Sequence, residues 1–85
     1  MEFRWNGWNL DHATRHGVSP RESEALARRG PPRHVGDNKY RVRGHDASGR
    51  LIQVIYVIDP SKSVYIIHAR PLTDREKRQH RRRKR

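Results

Sequence analysis

The sequence predicts a small α+β domain with two N-terminal helices, an antiparallel sheet of three to four strands and a basic C-terminal helix. This prediction depends on helix-start signals at Ser19 and Thr73 and on a strand-like apolar pattern between them. With 85 residues, of which 32% are hydrophobic, the chain can bury one small core. We therefore expect a compact domain over residues 1–73, followed by a basic helix or arm over residues 74–85 that frays at its end.

The first residues predict a strand and a helix. Phe3 and Trp5 alternate with polar residues, which is typical of an edge strand. A helix of about two turns is expected from Trp8 to His16, because Gly17 follows at the position where helices commonly end.

A second helix is predicted to begin at Pro20. Ser19 is a favourable N-cap, Pro20 suits the first helical position and Glu22 completes a capping box. The helix should end before Gly30, where a glycine-proline break separates it from the strands.

The C-terminal half predicts an antiparallel meander of three strands. Residues 39–45 alternate between apolar and polar side chains, residues 50–58 are nearly all apolar, and residues 63–70 follow a turn. Gly49 suits a three-residue hairpin loop that pairs Val42 with Val54. A two-residue loop would instead bury Arg41 and Arg43 among apolar side chains, which costs several kcal/mol.

At the next turn, a four-residue loop is expected to pair Ile58 with Ser63. This register places Tyr65, Ile67 and Ala69 on the inner face of the sheet. It also leaves an apolar patch on the outer face, formed by Ile55, Val57, Val64 and Ile66. Either the C-terminal helix or another chain could cover this patch. A homo- or hetero-oligomer is therefore compatible with the sequence.

The outer face is expected to collect cationic and imidazole groups at one end. The predicted register aligns His68 with Arg43 and Gln53, and aligns Arg70 with His45 and Leu51. Two arginines and two histidines from separate strands should therefore lie close together.

The charge balance points to a polyanionic partner. The formal net charge is +11, of which residues 74–85 carry +6. Such a field attracts nucleic acid, and we expect RNA contacts from Lys39, Arg41, Arg50, Arg75, Arg78 and Arg82. The lack of cysteine excludes disulfides and thiolate chemistry. No stretch is apolar enough to span a membrane, so we expect a cytoplasmic protein without membrane contact.

Several fragments together resemble the BrnT family of bacterial toxins. They are the opening FRWN, the RHGVS step at 15–19, GRL at 49–51, IIHARP at 66–71 and TDREKR at 73–78. The resemblance implies a RelE/ParE-like fold, ribonuclease activity and a cognate antitoxin of the ribbon-helix-helix DNA-binding type. Arg70 matches the arginine that closes the last strand of the family. Thr73, Glu76 and Arg78 match its helical continuation, and His16-Gly17 matches its helix-turn step.

Metal-independent RNA cleavage would give the clustered residues a chemical task. The 2′-OH attacks the adjacent phosphorus, so the site must move two protons and stabilise charge on the phosphate oxygens. Arginine suits the charge stabilisation and histidine suits the proton transfers. We assign Arg70 and Arg43 to the phosphate and His68 or His45 to the acid or base role, with no metal and no cofactor.

Simpler interpretations of these residues remain open. The basic strand face can be solvated, His68 can be structural, and Glu76 can be a helix cap rather than a general base. Trp5 and Trp8 either pack in the core or stack on bases. His12 and His16 have the spacing of a helical metal pair but lack an evident third ligand, and His16 can instead cap the helix end.

Three functions compete at this stage. The leading hypothesis is a toxin-type endoribonuclease. The second is a non-catalytic RNA- or DNA-binding module of the same fold, and the third is an interaction subunit whose basic surface is neutralised by an acidic partner.

Overall fold

Five strands form one mixed sheet at the centre of the molecule. The computed structural model, which describes residues 1–83, contains β1 (Glu2–Phe3), α1 (Gly7–Thr14), α2 (Pro20–Arg29), β2 (Arg33–Gly36), β3 (Lys39–His45), β4 (Leu51–Ile58), β5 (Ser63–Pro71) and α3 (Asp74–Arg83). The order of strands in the sheet is β1-β5-β4-β3-β2. The α+β class and the three helices agree with the prediction. The predicted strand number was too low, and the sheet is not purely antiparallel because β1 runs parallel to β5.

Strand β2 was not predicted. All four of its residues are exposed, and Val35 is its one large apolar side chain, so the segment has no apolar pattern that would indicate a strand. It is held by antiparallel pairing with β3, which joins Arg33 to Arg41 and His34 to Tyr40.

Capping interactions fix both N-terminal helices. Asn6 and Asn9 form a capping box at the start of α1, and Ser19 and Glu22 form the predicted one at the start of α2. Helix α1 ends at Thr14, slightly before the predicted His16. Gly17 then adopts a φ of +82°, a left-handed conformation that glycine accepts without steric cost.

The pairing of β3 with β4 follows the predicted register. Val42 lies opposite Val54 and Arg43 opposite Gln53. Gly49 in the connecting loop has a φ of +87°, as the three-residue hairpin requires. The basic side chains of β3 consequently lie on the opposite face from the core.

The predicted pairing of β4 with β5 was wrong. Ile58 lies opposite Val64 rather than Ser63, and a bulge between Ile55 and Tyr56 shifts the register once more. The first shift moves Val64 and Ile66 to the inner face, where both are buried. The bulge restores the predicted parity from His68 onward.

The corrected register changes which side chains share a row on the outer face. Gln53 lies between Arg43 and Arg70, and Ile55 lies opposite His68. The predicted rows of Arg43 with His68 and of His45 with Arg70 are therefore wrong.

The core lies between the inner face of the sheet and the first two helices. Helix α1 packs against β5, and α2 packs against β3. The buried apolar cluster contains Ala13, Val18, Leu26, Ala27, Val42, Ile52, Val54, Tyr56, Val64, Ile66 and Ala69. Val64 and Ile66 are thus core residues and not part of an outer patch.

Helix α3 is tied to the outer face through contacts with β3 and β5. The predicted fraying concerns the chain end at Lys84 and Arg85, which lies outside the described residues. Among residues 1–83, no helix has the length and apolar character that crossing a bilayer would need.

Candidate active site

Two arginines on the outer face share one carboxylate. Arg70 binds Glu76 through both terminal nitrogens, with an Nη1–Oε1 distance of 2.6 Å and an Nη2–Oε2 distance of 2.8 Å. Arg43 donates to the same Oε2 at 3.1 Å and to Gln53 through Nε at 2.9 Å. The three charged groups together carry a single positive charge, so Glu76 neutralises part of the predicted phosphate site.

The start of α3 fixes the position of Glu76. Thr73 and Glu76 form the predicted capping box, because each side chain accepts a hydrogen bond from the backbone of the other. The hydrogen bond from Arg70, aided by the Thr73 backbone and the charge of Arg43, lowers the pKa of Glu76 to about 2 despite partial burial. The carboxylate therefore stays ionised near neutral pH and is unsuited to act as a general base.

The imidazole rings of His16 and His68 lie next to each other near Arg70. The ring centroids of His16 and His68 are 5.9 Å apart, with an angle of 62° between the ring planes. His68 is half-buried on β5, whereas His16 is exposed just beyond α1. Burial, together with the charges of Arg70 and His16, lowers the pKa of His68 from its ordinary value, against the opposing effect of Glu76. A lowered pKa favours the neutral imidazole that can accept a proton.

Arg70 retains hydrogen-bonding capacity beyond its contact with Glu76. A guanidinium has five N–H donors, and three bonds from Arg70 occur among the described residues, two to Glu76 and one to the carbonyl of Pro71. The remaining donors of this oriented group could bind a phosphate oxygen near His68.

His45 lies apart from His16, His68 and Arg70. It is exposed at the end of β3, opposite Leu51, and its backbone carbonyl accepts a hydrogen bond from Arg29. Within residues 1–83, no ring contact or hydrogen bond joins it to His68 or Arg70. The predicted meeting of both histidines with both arginines therefore fails for His45, and His16 occupies the place beside His68.

Two of the predicted RNA-binding residues, Arg41 and Arg82, line a basic groove between α3 and the outer face. The groove has a volume of about 440 Å³ and is formed by Arg33, Arg41, Arg43, Gln79 and Arg82. Arg75 and Arg78 are exposed nearby on α3, and Lys39 is exposed at the start of β3.

Arg50 has a different environment. Its Nε donates to Asp46 at 3.0 Å and its Nη2 donates to the carbonyl of Gly17 at 3.2 Å. These contacts connect the β3–β4 loop to the turn after α1, so Arg50 stabilises the fold.

The two tryptophans also differ. Trp5 packs against the core and its Nε1 donates to Glu24 at 2.6 Å, whereas 58% of Trp8 is exposed. His12 stacks on Trp8. Among residues 1–83, no group of three or more potential metal ligands occurs around either His12 or His16.

Sequence reasoning missed His16 as a neighbour of His68. His16 follows α1 and His68 lies in β5, far along the chain, and no periodicity links the two residues. The sequence did contain a signal for the contact between Glu76 and Arg70. Glu76 caps a helix that begins soon after the strand that carries Arg70, so the two side chains are expected to lie close together. Comparisons with protein-family models, curated proteins and solved structures found no match. The BrnT resemblance therefore stays a prediction from the fragments themselves.

Proposed function

We propose that the protein is a metal-independent endoribonuclease that cleaves RNA at the cluster of His16, His68 and Arg70. The observation that carries the proposal is the pair of imidazole rings 5.9 Å apart beside an arginine. RNA transesterification needs one group to accept a proton and another to donate one, and two adjacent histidines supply both roles.

The lowered pKa of His68 assigns it the role of base, which leaves the acid role to His16. Neutral His68 accepts the proton of the 2′-OH, and the 2′ oxygen forms the new bond to phosphorus. Protonated His16 gives a proton to the 5′ oxygen as the P–O5′ bond breaks. Arg70 donates to a non-bridging oxygen and stabilises the charge that develops there. The products are a 2′,3′-cyclic phosphate and a 5′-hydroxyl, and the histidines recover their protonation states by exchange with water.

The site assignment is tested by cleavage of single-stranded RNA in the presence of a chelator. We expect cyclic-phosphate products, and a loss of about 100-fold or more in kcat/KM for His68→Ala or His16→Ala. His45→Ala is the matched control, since it removes an imidazole from the same basic face outside the cluster. Equal activity of His68→Ala and the wild type would contradict the proposal, as would complete loss of cleavage on chelation.

The RelE/ParE-like fold and the role as a toxin are proposals that rest on the sequence resemblance. A toxin of this kind acts in the cytoplasm and is restrained by a cognate antitoxin of the ribbon-helix-helix type. Induced expression with and without the genomic neighbour tests this role. Growth arrest with RNA loss that the neighbour relieves would support it, and normal growth with intact RNA would contradict it.

A non-catalytic nucleic-acid-binding module is the second candidate. Its specific support is that Glu76 offsets part of the charge of Arg43 and Arg70, whereas the basic groove along α3 adds Arg33, Arg41 and Arg82 to Arg43 and is the more cationic surface. Pure binding should weaken gradually as any groove arginine is removed, with a strong salt dependence. Cleavage should instead depend sharply on the two histidines.

A further inference from the structure

Trp8 is a large aromatic residue outside the core. Its exposed fraction is 58%, and its indole ring stacks on the ring of His12 with centroids 3.9 Å apart and planes 22° apart. Trp5, in contrast, packs against the core and has a hydrogen-bond partner for its indole nitrogen. The position of Trp8 therefore has no evident role in stabilising the core.

The stacked ring of His12 is held in place by the helix. Its Nδ1 lies 2.8 Å from the backbone carbonyl oxygen of Trp8. Because a carbonyl oxygen can only accept, this nitrogen carries the hydrogen and donates it. The imidazole thus covers one face of the indole, while 58% of Trp8 stays exposed to solvent. A ring that is ordered in advance loses little entropy when it binds a flat partner.

The stacked pair lies on α1, and the chain that leaves this helix carries His16 of the imidazole pair. Asn9 and Ala13 form the buried side of the helix. Trp8 and His12 each precede one of these residues and flank that buried side. His16 lies just beyond the end of α1, where its ring contacts that of His68. At 1.5 Å per residue, Trp8 and His12 are separated by about 6 Å along the helix, and His16 follows two residues after the helix ends at Thr14.

We propose that Trp8, supported by His12, stacks on an unpaired base of single-stranded RNA and holds the strand next to the imidazole pair. This inference rests on the proposed ribonuclease function and specifies its substrate class. The net charge of +11 draws the RNA backbone to the protein, and an open indole face can stack with any unpaired base. In a duplex, neighbouring base pairs already cover those faces, so duplex RNA should not use Trp8.

Binding of a short 2′-O-methyl RNA strand tests the proposal without cleavage. We expect the strand to quench the indole emission of the wild type, and an abasic strand of equal length and charge to leave it unchanged. In Trp8→Ala, Trp5 is the remaining tryptophan and the quenching should disappear. Fluorescence anisotropy of the labelled strand should show an affinity about 5- to 150-fold lower for Trp8→Ala, whereas Trp8→Phe, which keeps an aromatic face, should bind close to the wild type.

Leu10→Ala is the matched control, since Leu10 is an exposed apolar residue on the same helix but on a different side from Trp8 and His12. The proposal is overturned if Trp8→Ala binds as tightly as Leu10→Ala, if the abasic strand quenches equally, or if duplex RNA quenches as strongly as the single strand. Cleavage of an unmodified RNA is measured in parallel. Stacking without cleavage would count against the proposed ribonuclease function alone, and cleavage without stacking would count against this inference alone.

Discussion

Arg70 binds the carboxylate of Glu76 through two parallel hydrogen bonds of 2.6 and 2.8 Å. The pair joins the end of β5 to the first turn of α3, and Arg43 extends it across the sheet to β3. One carboxylate therefore connects three elements. The same contact occupies three N–H donors of the two guanidinium groups and offsets part of their charge, so it affects both stability and nucleic-acid binding.

Removing the charge of Glu76 should destabilise the fold. Its side chain is 17% exposed, and Glu76→Gln leaves two largely buried guanidinium groups without their anionic partner. We expect the free energy of unfolding to fall by about 2–3 kcal/mol, measured by urea denaturation. Asp74→Asn is the control, because Asp74 is 89% exposed and its ion pair with Lys77 is long at 3.9 Å. That variant should lose less than about 1 kcal/mol, and equal losses would contradict the importance of the buried pair.

Glu76 should also make the protein sensitive to acid. Its pKa is about 2 in the folded protein, against an ordinary value of 4.5, because Arg70 hydrogen-bonds to the ionised form. Its contribution to stability is therefore complete above the unfolded pKa, and is lost as the pH falls from about 4.5 to about 2. Denaturation across this range should show the wild type losing stability more steeply than Glu76→Gln. Parallel curves for the two proteins would contradict this linkage.

The sequence was sufficient to predict the elements with strong local signals. The β3–β4 register followed from Gly49 and from the cost of burying Arg41 and Arg43, and the helix starts followed from the capping boxes at Ser19 and Thr73. Each of these predictions compares one favourable local arrangement with an alternative that would be costly. Strand β2 lacked such a signal, because its pairing with β3 supplies a stability that its own side chains do not indicate.

The register of β5 could not be predicted for a different reason. Val64, Tyr65, Ile66 and Ile67 are all apolar, so neither parity of this segment is penalised by buried charge. The bulge that restores the parity at His68 is not marked by a glycine in this strand. The candidate site was therefore predicted in part: Arg43 and Arg70 share a face as expected, but the partner of His68 is His16 rather than His45.

Gly30 should be sensitive to a single added methyl group. A Cβ atom there would lie 2.2 Å from Cγ1 of buried Val42, while the φ of −84° is acceptable for any residue. The cost of Gly30→Ala is therefore steric, and we expect a loss of about 1–3 kcal/mol in the free energy of unfolding. Gly7→Ala is the control, since its Cβ would meet nothing within 4 Å. Thermal and urea denaturation compare the two variants, and an unchanged stability of Gly30→Ala would contradict the packing of α2 on β3.

The proposed chemistry predicts the position of the acidic limb of the pH–rate profile. Burial and the charges of Arg70 and His16 lower the pKa of His68 below its ordinary 6.5. Its neutral, proton-accepting form should therefore persist below pH 6.5. The decline of kcat/KM on the acidic side should accordingly begin below pH 6.5. Arg70→Gln should slow cleavage and also move this limb to higher pH, because one cause of the lowered pKa is gone. Arg75→Gln removes the same charge from the exposed side of α3 and should leave the limb in place. A limb that does not move in Arg70→Gln would contradict the role of His68 as the base.

Glu76→Gln should bind single-stranded RNA more tightly than the wild type, although it is less stable. The substitution removes the carboxylate charge that Arg43 and Arg70 share, so more of their N–H donors become available to phosphate oxygens. Each additional phosphate that is bound should steepen the slope of log affinity against log salt concentration by about 0.7. Asp74→Asn again provides the control, because it adds the same unit of net charge to α3 without releasing either arginine. Binding titrations over a series of salt concentrations, at a temperature where both variants are folded, compare the slopes. If the two variants have the same slope, Glu76 does not restrain Arg43 and Arg70, and RNA is bound mainly by the other arginines of the basic groove along α3.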